Sequence, residues 1–166
     1  MSRSLSLTLT ACLLGSALLT PALAAGGALV GAKNAAHGNV TVTAAPKGVL
    51  LRVDATGLTP GWHGIHFHEK GDCAPDAFTS AGAHVHTAMP VTHGLLNAAA
   101  NDDGDLPNIY AAADGSAHAE IFSALVRMPQ LMDADGSSVV IHASPDDHKS
   151  QPIGGAGARV ACAVIK

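Results

Sequence analysis

Short runs of β-branched and other apolar residues, separated by Gly, Pro, Asn and Asp, are the main pattern along this chain. Such runs are typical of strands, and no window gives a convincing helical period. Predicted strands cover residues 28–32, 40–43, 49–54, 61–68, 106–112, 117–122, 138–142 and 160–165. The pattern therefore predicts an all-β fold, an eight-stranded Greek-key barrel or sandwich.

Two segments lack any period and predict long functional loops. Residues 69–105 are rich in Gly, Ala, Pro and Asp, and residues 143–158 are polar. A loop as long as the first is uncommon inside a compact domain unless it is functional or tethered. This loop contains Cys73 and several histidines, so we expect it to be tied down.

The N-terminus has the three parts of a secretory signal peptide. Arg3 is followed by the apolar segment 5–19, and Ala22-Leu-Ala24 provides a small-x-small cleavage site. The apolar segment is too short for a membrane anchor. We expect residues 1–24 to be removed, leaving one periplasmic or otherwise exported domain, residues 25–166, without membrane contact.

The cysteines indicate a disulfide, and the net charge excludes one class of function. Of the three cysteines, Cys12 lies in the predicted signal peptide, too early in the apolar segment for us to expect lipidation. Cys73 and Cys162 remain, and an even pair in an exported protein predicts a disulfide. The net charge of −4 becomes −5 when Arg3 is removed, and there is no basic cluster. These features exclude a nucleic-acid-binding protein.

Three histidines lie on the strand predicted at residues 61–68. Side chains two residues apart share a face of a strand, so His66 and His68 should point toward one ion. His63 has the opposite parity and should point elsewhere. One His-x-His pair is a weak signal of metal binding, and it gains weight only if distant histidines join it.

Further histidines that can join the pair lie at strand ends and in loops. His84, His93 and His142 are such residues. Imidazole suits copper and zinc, so His-x-His with two distant histidines would form an all-nitrogen copper site. His93 with Asp105 offers a nitrogen and an oxygen, which zinc accepts. His37, His118 and His148 lack this context and are expected at the surface.

Several motifs together resemble the copper/zinc superoxide dismutase family, most closely its bacterial periplasmic branch. The resemblance covers the chain from the first strand to the last, in order. The motifs are Gly64-Ile-His-Phe-His-Glu69, Gly71-Asp-Cys73, Ser80-Ala-Gly-Ala-His84, His93-Gly94, Gly104-Asp-Leu-Pro-Asn108, Val139-Val-Ile-His142, Asp146-Asp147 and Gly154-Gly-Ala-Gly-Ala-Arg-Val-Ala-Cys162.

The resemblance implies a role for each matching residue. His84 matches the histidine that bridges both metals, and Asp146 matches the carboxylate that hydrogen-bonds ligands of each. Arg159 matches the active-site arginine, and His63 a buried structural histidine. Cys73 and Cys162 match the family's disulfide. The copper ligands implied are His66, His68, His84 and His142, and the zinc ligands are His84, His93 and Asp105.

One position departs from the family pattern. The family has a third zinc histidine three residues before the zinc aspartate, and here that residue is Asp102. Asp102 itself, or His86, can complete the zinc site, or the site is weak or empty. A weakened zinc site is our expectation.

The resemblance implies dismutation of superoxide to dioxygen and hydrogen peroxide at histidine-bound copper, with His84 carrying a proton. Because the protein is net negative, Arg159 should attract the anion, assisted by Lys70 and Lys149. The alternative is a periplasmic protein that stores or delivers copper without catalysis. The sequence leaves a homodimer open.

Overall fold

The computed structural model describes residues 22–166. Residues 1–21 of the predicted signal peptide, including Cys12, lie outside the described residues. Nine strands and one short α-helix are present in the described part, besides two 3-10 turns. The elements are β1 (Ala24–Gly31), β2 (Ala36–Ala45), β3 (Gly48–Ala55), β4 (Gly61–His63), β5 (Ile65–His68), β6 (Ile109–Ala111), β7 (Ala117–Ser123), α1 (Met128–Leu131), β8 (Ser137–His142) and β9 (Arg159–Ile165).

The strands form one curled antiparallel sheet and a small one. The large sheet has seven strands in the order β5-β8-β9-β1-β2-β3-β7, and β4 pairs with β6 in the small sheet. β4 leads into β5 across Gly64, and β6 packs beside β7. The small sheet thus connects the two edges of the large one, and the predicted all-β barrel is confirmed.

The expected strand over residues 61–68 is in fact two strands in different sheets. β4 ends at His63 and β5 begins at Ile65. The expectation of no helix is also corrected, because residues 128–131 form the single helical turn α1. The side chain of Gln130 accepts a hydrogen bond from the backbone N–H of Arg127 (2.8 Å), and Pro129 suits a first helical turn. Within residues 22–166, no helix is long and apolar enough to cross a lipid bilayer.

Alternating apolar residues on the strands build the core. On β3, Val49, Leu51 and Val53 are fully buried, while Arg52 between them is exposed. This is the two-residue period of a strand with one face inward. Each fully buried side chain of this kind contributes about 1.5–3 kcal/mol to folding.

The long loop returns to pair with β5. The Val85 N–H donates to the Phe67 carbonyl (2.9 Å), and the Phe67 N–H donates to the Gly104 carbonyl (3.0 Å). A Cβ at Gly104 would collide with the Phe67 carbonyl oxygen, so the close approach requires glycine. The loop is therefore held along the strand that carries the His-x-His pair.

The predicted disulfide is confirmed. Cys73 and Cys162 are bonded, with a Cα–Cα distance of 5.7 Å. Cys162 lies on β9 and is fully buried, whereas Cys73 lies in the long loop. The bond ties the start of the loop to the centre of the large sheet.

Candidate metal centre

Four predicted histidines converge at one end of the sheet. One ring nitrogen from each lies within 4.8 Å of the other three, and all four residues are buried. β5 supplies two of them, the end of β8 supplies the third, and the loop segment paired with β5 supplies the fourth. We call this set the four-histidine cluster: His66, His68, His84 and His142.

Hydrogen bonds behind these rings decide which nitrogen faces the centre. Nε2–H of His66 donates to Asp146 Oδ2 (2.9 Å), and Nδ1–H of His68 donates to the Gly82 carbonyl (3.1 Å). Nδ1–H of His142 donates to the Gly157 carbonyl (3.1 Å). The opposite nitrogen of each ring is left with a free lone pair.

The free nitrogens are buried and have no hydrogen-bond partner. They are Nδ1 of His66 and Nε2 of His68, His84 and His142. Burying four polar atoms without partners is costly, and a metal ion that prefers imidazole would satisfy all of them. The four-histidine cluster therefore fits a copper or zinc ion.

The rings of three cluster members are held neutral, which is the form that binds metal. Burial lowers the pKa of His66 to about 4 and that of His142 to about 4. Burial, together with the charge of His84, lowers the pKa of His68 to about 2. These histidines need not lose a proton before they ligate a metal at neutral pH.

A second donor set lies on the other side of the His84 ring. One atom from each of His66, His84, His93 and Asp105 lies within 4.8 Å of the others. Nδ1 of His93 lies 2.5 Å from Asp105 Oδ1, and Nδ1 of His84 lies 3.7 Å from the same oxygen. His84 thus presents Nε2 to the four-histidine cluster and Nδ1 to the second set.

Asp102 lies next to two members of this second set. Its Oδ2 lies 2.7 Å from His84 Nδ1 and 3.4 Å from His93 Nδ1, and the residue is buried. We call His84, His93, Asp102 and Asp105 the two-aspartate cluster. His86, the other candidate for the missing position, has its Nδ1 on the His84 carbonyl (2.8 Å) and faces Glu69 in a separate cavity.

Charges in the two-aspartate cluster shift its histidines in the opposite direction from the four-histidine cluster. Burial alone would lower the pKa of His84 and of His93, but the carboxylates of Asp102 and Asp105 outweigh it. The pKa of His84 is raised, and that of His93 is raised to about 11, with Asp146 contributing. The histidines in turn lower the pKa of Asp102 and Asp105 against the effect of burial.

Asp146 links the two clusters. Its Oδ2 accepts from His66 Nε2 (2.9 Å), and its Oδ1 accepts from His93 Nε2 (3.1 Å). Asn108 holds the backbone of Asp146 on both sides, because it accepts from the Asp146 N–H and donates to the Asp146 carbonyl (2.8 Å each). One carboxylate therefore orients a ring in each cluster.

Arg159 lies at the edge of a cavity over the clusters. The cavity has a volume of about 390 Å³ and is also lined by His84, His93 and Ile153. The guanidinium donates to the carbonyls of Phe78 and Gly82 (2.6 Å each). Its orientation is thus fixed beside the donor atoms. Lys70 and Lys149 are exposed, and neither lines this cavity.

The remaining histidines lie away from the donor atoms. His63 is buried, with its ring between the carbonyls of His142 (2.6 Å) and Thr59 (2.7 Å), as its strand parity indicated. His118 is exposed and contacts Asp54. His37 is half-buried, with its Nδ1 2.6 Å from the Thr56 carbonyl, so it lies only partly at the surface. His148 is half-buried against Asp146 rather than at the surface.

Sequence reasoning missed three residues that support the clusters. Asn108 clamps Asp146, and the Gly82 carbonyl holds both His68 and Arg159. Gln151 accepts from the His93 N–H (2.9 Å) and donates to the His93 carbonyl (2.8 Å). Asn108 and Gly82 lie in motifs quoted above, but the contacts of all three residues join separate segments of the chain, so no local pattern indicated these roles.

Known proteins are similar to this chain in sequence over most of its length. A family model described as copper/zinc superoxide dismutase matches residues 36–165. A superoxide dismutase [Cu-Zn] from Caulobacter vibrioides is 69% identical over 135 residues, which cover 78% of each chain.

Two solved structures share the fold. The Cu/Zn superoxide dismutase from Brucella abortus has a TM-score of 0.73 and 28% identity, over 87% of this chain and 100% of that chain. A SOD-like protein from Bacillus subtilis has a TM-score of 0.74 and 31% identity, over 84% of this chain and 96% of that chain. Both are similar along nearly their whole length.

Proposed function

This chain belongs to the copper/zinc superoxide dismutase family, and we propose that it turns over superoxide at a copper ion held by the four-histidine cluster. Two superoxide anions and two protons give one dioxygen and one hydrogen peroxide. The observation that carries the proposal is the set of four buried lone pairs, each on a ring held by a hydrogen bond from its other nitrogen. Copper and zinc are the family's cofactors.

Bound copper would supply the chemistry that no side chain here has, which is one-electron exchange with superoxide. The protein's part is to keep four imidazoles in place before the metal arrives. Asp146, Gly82 and Gly157 do so by accepting the outward N–H of three rings. Such fixed rings raise metal affinity, because little ordering is left for binding to do.

His84 is suited to hold one of the two protons that hydrogen peroxide needs, and the other would come from solvent. Its Nε2 lies in the four-histidine cluster, and its Nδ1 stays on Asp102 and Asp105. The ring can therefore take a proton at Nε2 while its other nitrogen keeps it oriented. We propose that this proton is passed to the reduced oxygen species beside Arg159.

The two-aspartate cluster would hold zinc. His84 Nδ1, His93 Nδ1, Asp102 Oδ2 and Asp105 Oδ1 are four nitrogen and oxygen donors, the number that a structural zinc site requires. Nδ1 of His93 and Oδ1 of Asp105 are buried without a hydrogen-bond partner of normal geometry. The two atoms face each other at 2.5 Å, and a metal ligated by both would replace that contact.

Arg159 would attract and position the anion. It is the cation that lines the cavity, and its guanidinium is held by two carbonyls. A fixed positive charge in a narrow low-dielectric opening raises the local concentration of a small anion even on a negative protein. A protein that only stores or delivers copper has no need of this charge.

The Arg159→Ala variant tests dismutation against copper storage. We expect its activity to fall about tenfold at unchanged copper content, and its rate to lose most of its salt dependence. Arg52→Ala, an exposed arginine on β3, is the matched control and should keep full activity. Copper-loaded wild type that dismutes no faster than copper bound to a short peptide would favour storage.

Export to the periplasm is proposed from the signal-like residues 1–24 and from the disulfide. Cys73–Cys162 would persist in an oxidising compartment and be reduced in the cytosol. Mass spectrometry of the periplasmic fraction should find a mature chain that starts near Ala25 and is two hydrogens lighter than the reduced form. A full-length cytoplasmic chain would contradict export.

A homodimer is proposed through the small sheet. Trp62 and Tyr110 pack edge to face, with ring centroids 5.1 Å apart, and each is 56% exposed. Exposed aromatic pairs of this kind are typical of protein interfaces. Sedimentation of wild type should give a dimer and that of Trp62→Ser a monomer, and a monomeric wild type would rule the dimer out.

A further inference from the structure

The two-aspartate cluster contains two carboxylate donors and two imidazole donors. Oδ2 of Asp102 faces both histidines at 2.7 and 3.4 Å, and Oδ1 of Asp105 faces the same nitrogens at 3.7 and 2.5 Å. All of these residues are at most 5% exposed. The metal position is therefore bounded by equal numbers of nitrogen and oxygen atoms.

Each carboxylate accepts a backbone hydrogen bond with one oxygen and faces the histidines with the other. Oδ1 of Asp102 accepts from the Gly104 N–H (3.0 Å), and Oδ2 of Asp105 accepts from the Gly94 N–H (2.7 Å). The oxygens left over are those that face His84 and His93. Asp102 is thus built as a one-oxygen donor in the same way as Asp105.

No other charge in the described part of the chain explains the buried Asp102. Between residues 22 and 166, neither aspartate forms an ion pair with a lysine or an arginine, and their charged partners are His84 and His93 alone. The imidazoles cannot stay protonated once they ligate a metal, so they would not balance these buried carboxylates in the metal-bound site. A divalent cation between the four donors would balance both aspartates.

We propose that Asp102 sets the metal preference of this second site. The site would then select zinc over harder divalent ions such as Mn²⁺ less strongly than a site with three histidines would. The inference rests on the proposed function, in which the two-aspartate cluster is the second metal site. Carboxylate oxygen favours manganese more than imidazole does, and imidazole favours zinc. A donor set in which Asp102 replaces one imidazole therefore favours manganese more than a three-histidine set does.

The test compares metal-free wild type with Asp102→His and Asp102→Asn. Zinc affinity is measured by chelator competition, and Mn²⁺ affinity by the loss of the free-ion electron paramagnetic resonance signal. The ratio of the manganese Kd to the zinc Kd should be about tenfold larger in Asp102→His than in wild type. An unchanged ratio would overturn the proposal.

Space for the histidine exists, because Asp102 lines both the cavity of about 390 Å³ and a neighbouring one of about 250 Å³. Asp102→Asn keeps the side-chain volume and removes the charge. We expect it to weaken the binding of both ions, and zinc binding as tight as in wild type would also overturn the proposal. Asp103→Asn is the control, since the Asp103 carboxylate contacts Thr87 and Gln130 instead of the histidines.

Copper content and dismutation by the wild type are measured on the same preparation. Copper-loaded protein without activity would contradict the dismutase proposal, and the inference about the metal preference of the second site would still be tested by the ratio of the two Kd values. An active enzyme in which the ratio of the manganese Kd to the zinc Kd does not change when Asp102 is replaced would contradict this inference but not the dismutase proposal.

Discussion

The four-histidine cluster and the two-aspartate cluster share His84 but are constructed differently. Three of the four histidines in the first lie on β5 and β8, which are neighbours in the large sheet. The second is built from the long loop, apart from its link to Asp146. Burial lowers the pKa of the three strand-borne histidines of the first, whereas carboxylates raise the pKa of His84 and His93 in the second.

The difference separates two ways of preparing a metal site. The first cluster keeps uncharged rings in a rigid ladder, so the metal meets donors that are already deprotonated. The second keeps opposite charges together, so the metal must replace protons on the rings. We therefore expect copper binding to depend on strand geometry and zinc binding to depend on charge.

The largest expected effect comes from removing a donor on a strand. His142→Ala should lower copper affinity and activity more than about 100-fold, because it removes a fixed donor and leaves three. Copper content and dismutation rate measure the effect. His118→Ala, an exposed histidine on β7, should change neither. Stoichiometric copper in His142→Ala would show that the cluster does not act as a unit.

A smaller effect on metal binding by both clusters is expected from replacing Asp146, which links them. Asp146→Asn should weaken copper and zinc binding by about 10–100-fold each, because the ring orientations of His66 and His93 lose their common acceptor. Competition titrations measure both constants. Asp147→Asn is the neighbouring control, since that carboxylate contacts Lys149 and Ser150. A loss confined to copper would contradict the link.

The smallest expected effect is a pH dependence of the metal-free protein with two opposite arms. His66 and His142 have a pKa near 4, below their ordinary 6.5, so the unfolded chain binds more protons between these values. Stability is then lost as the pH falls from 6.5 to 4. His93, with a pKa raised to about 11, contributes stability that is present below pH 6.5 and is lost as the pH rises toward 11.

Urea unfolding of the metal-free protein at several pH values measures both arms. We expect the free energy of unfolding to drop on the acid side by up to about 3.5 kcal/mol for each of His66 and His142, since each pKa is lowered from 6.5 to about 4 and one pKa unit corresponds to about 1.4 kcal/mol. His66→Gln should reduce the acid arm and leave the alkaline arm unchanged. A flat profile between pH 4 and 6.5 would contradict the neutral state of the buried rings.

The sequence predicted the strand-borne parts of this molecule well. The two-residue period placed His66 and His68 on one face, and the last strand before residues 143–158 ended on His142, as in the structure. The break at Gly64 was missed, because one apolar run continues through two strands of different sheets.

The loop-borne parts could be predicted only by resemblance. Residues 69–105 have no period, and their positions depend on backbone bridges from His84 to His68 and from Asp105 to His66. These bridges join residues 16 and 39 positions apart in the sequence, so no local window contains them. His148 and Gln151 were missed for the same reason, since their partners lie in other segments.

The carbonyl of Gly82 links a histidine of the four-histidine cluster to the arginine of the cavity. It accepts from Nδ1 of His68 and from the guanidinium of Arg159, so a single peptide unit aims both the ring and the cation. A backbone shift there would alter the electronic setting of the redox ion and the capture of its substrate in one movement. The two properties cannot be tuned separately by changing that turn, and variants selected for faster anion capture through it should also show an altered copper potential.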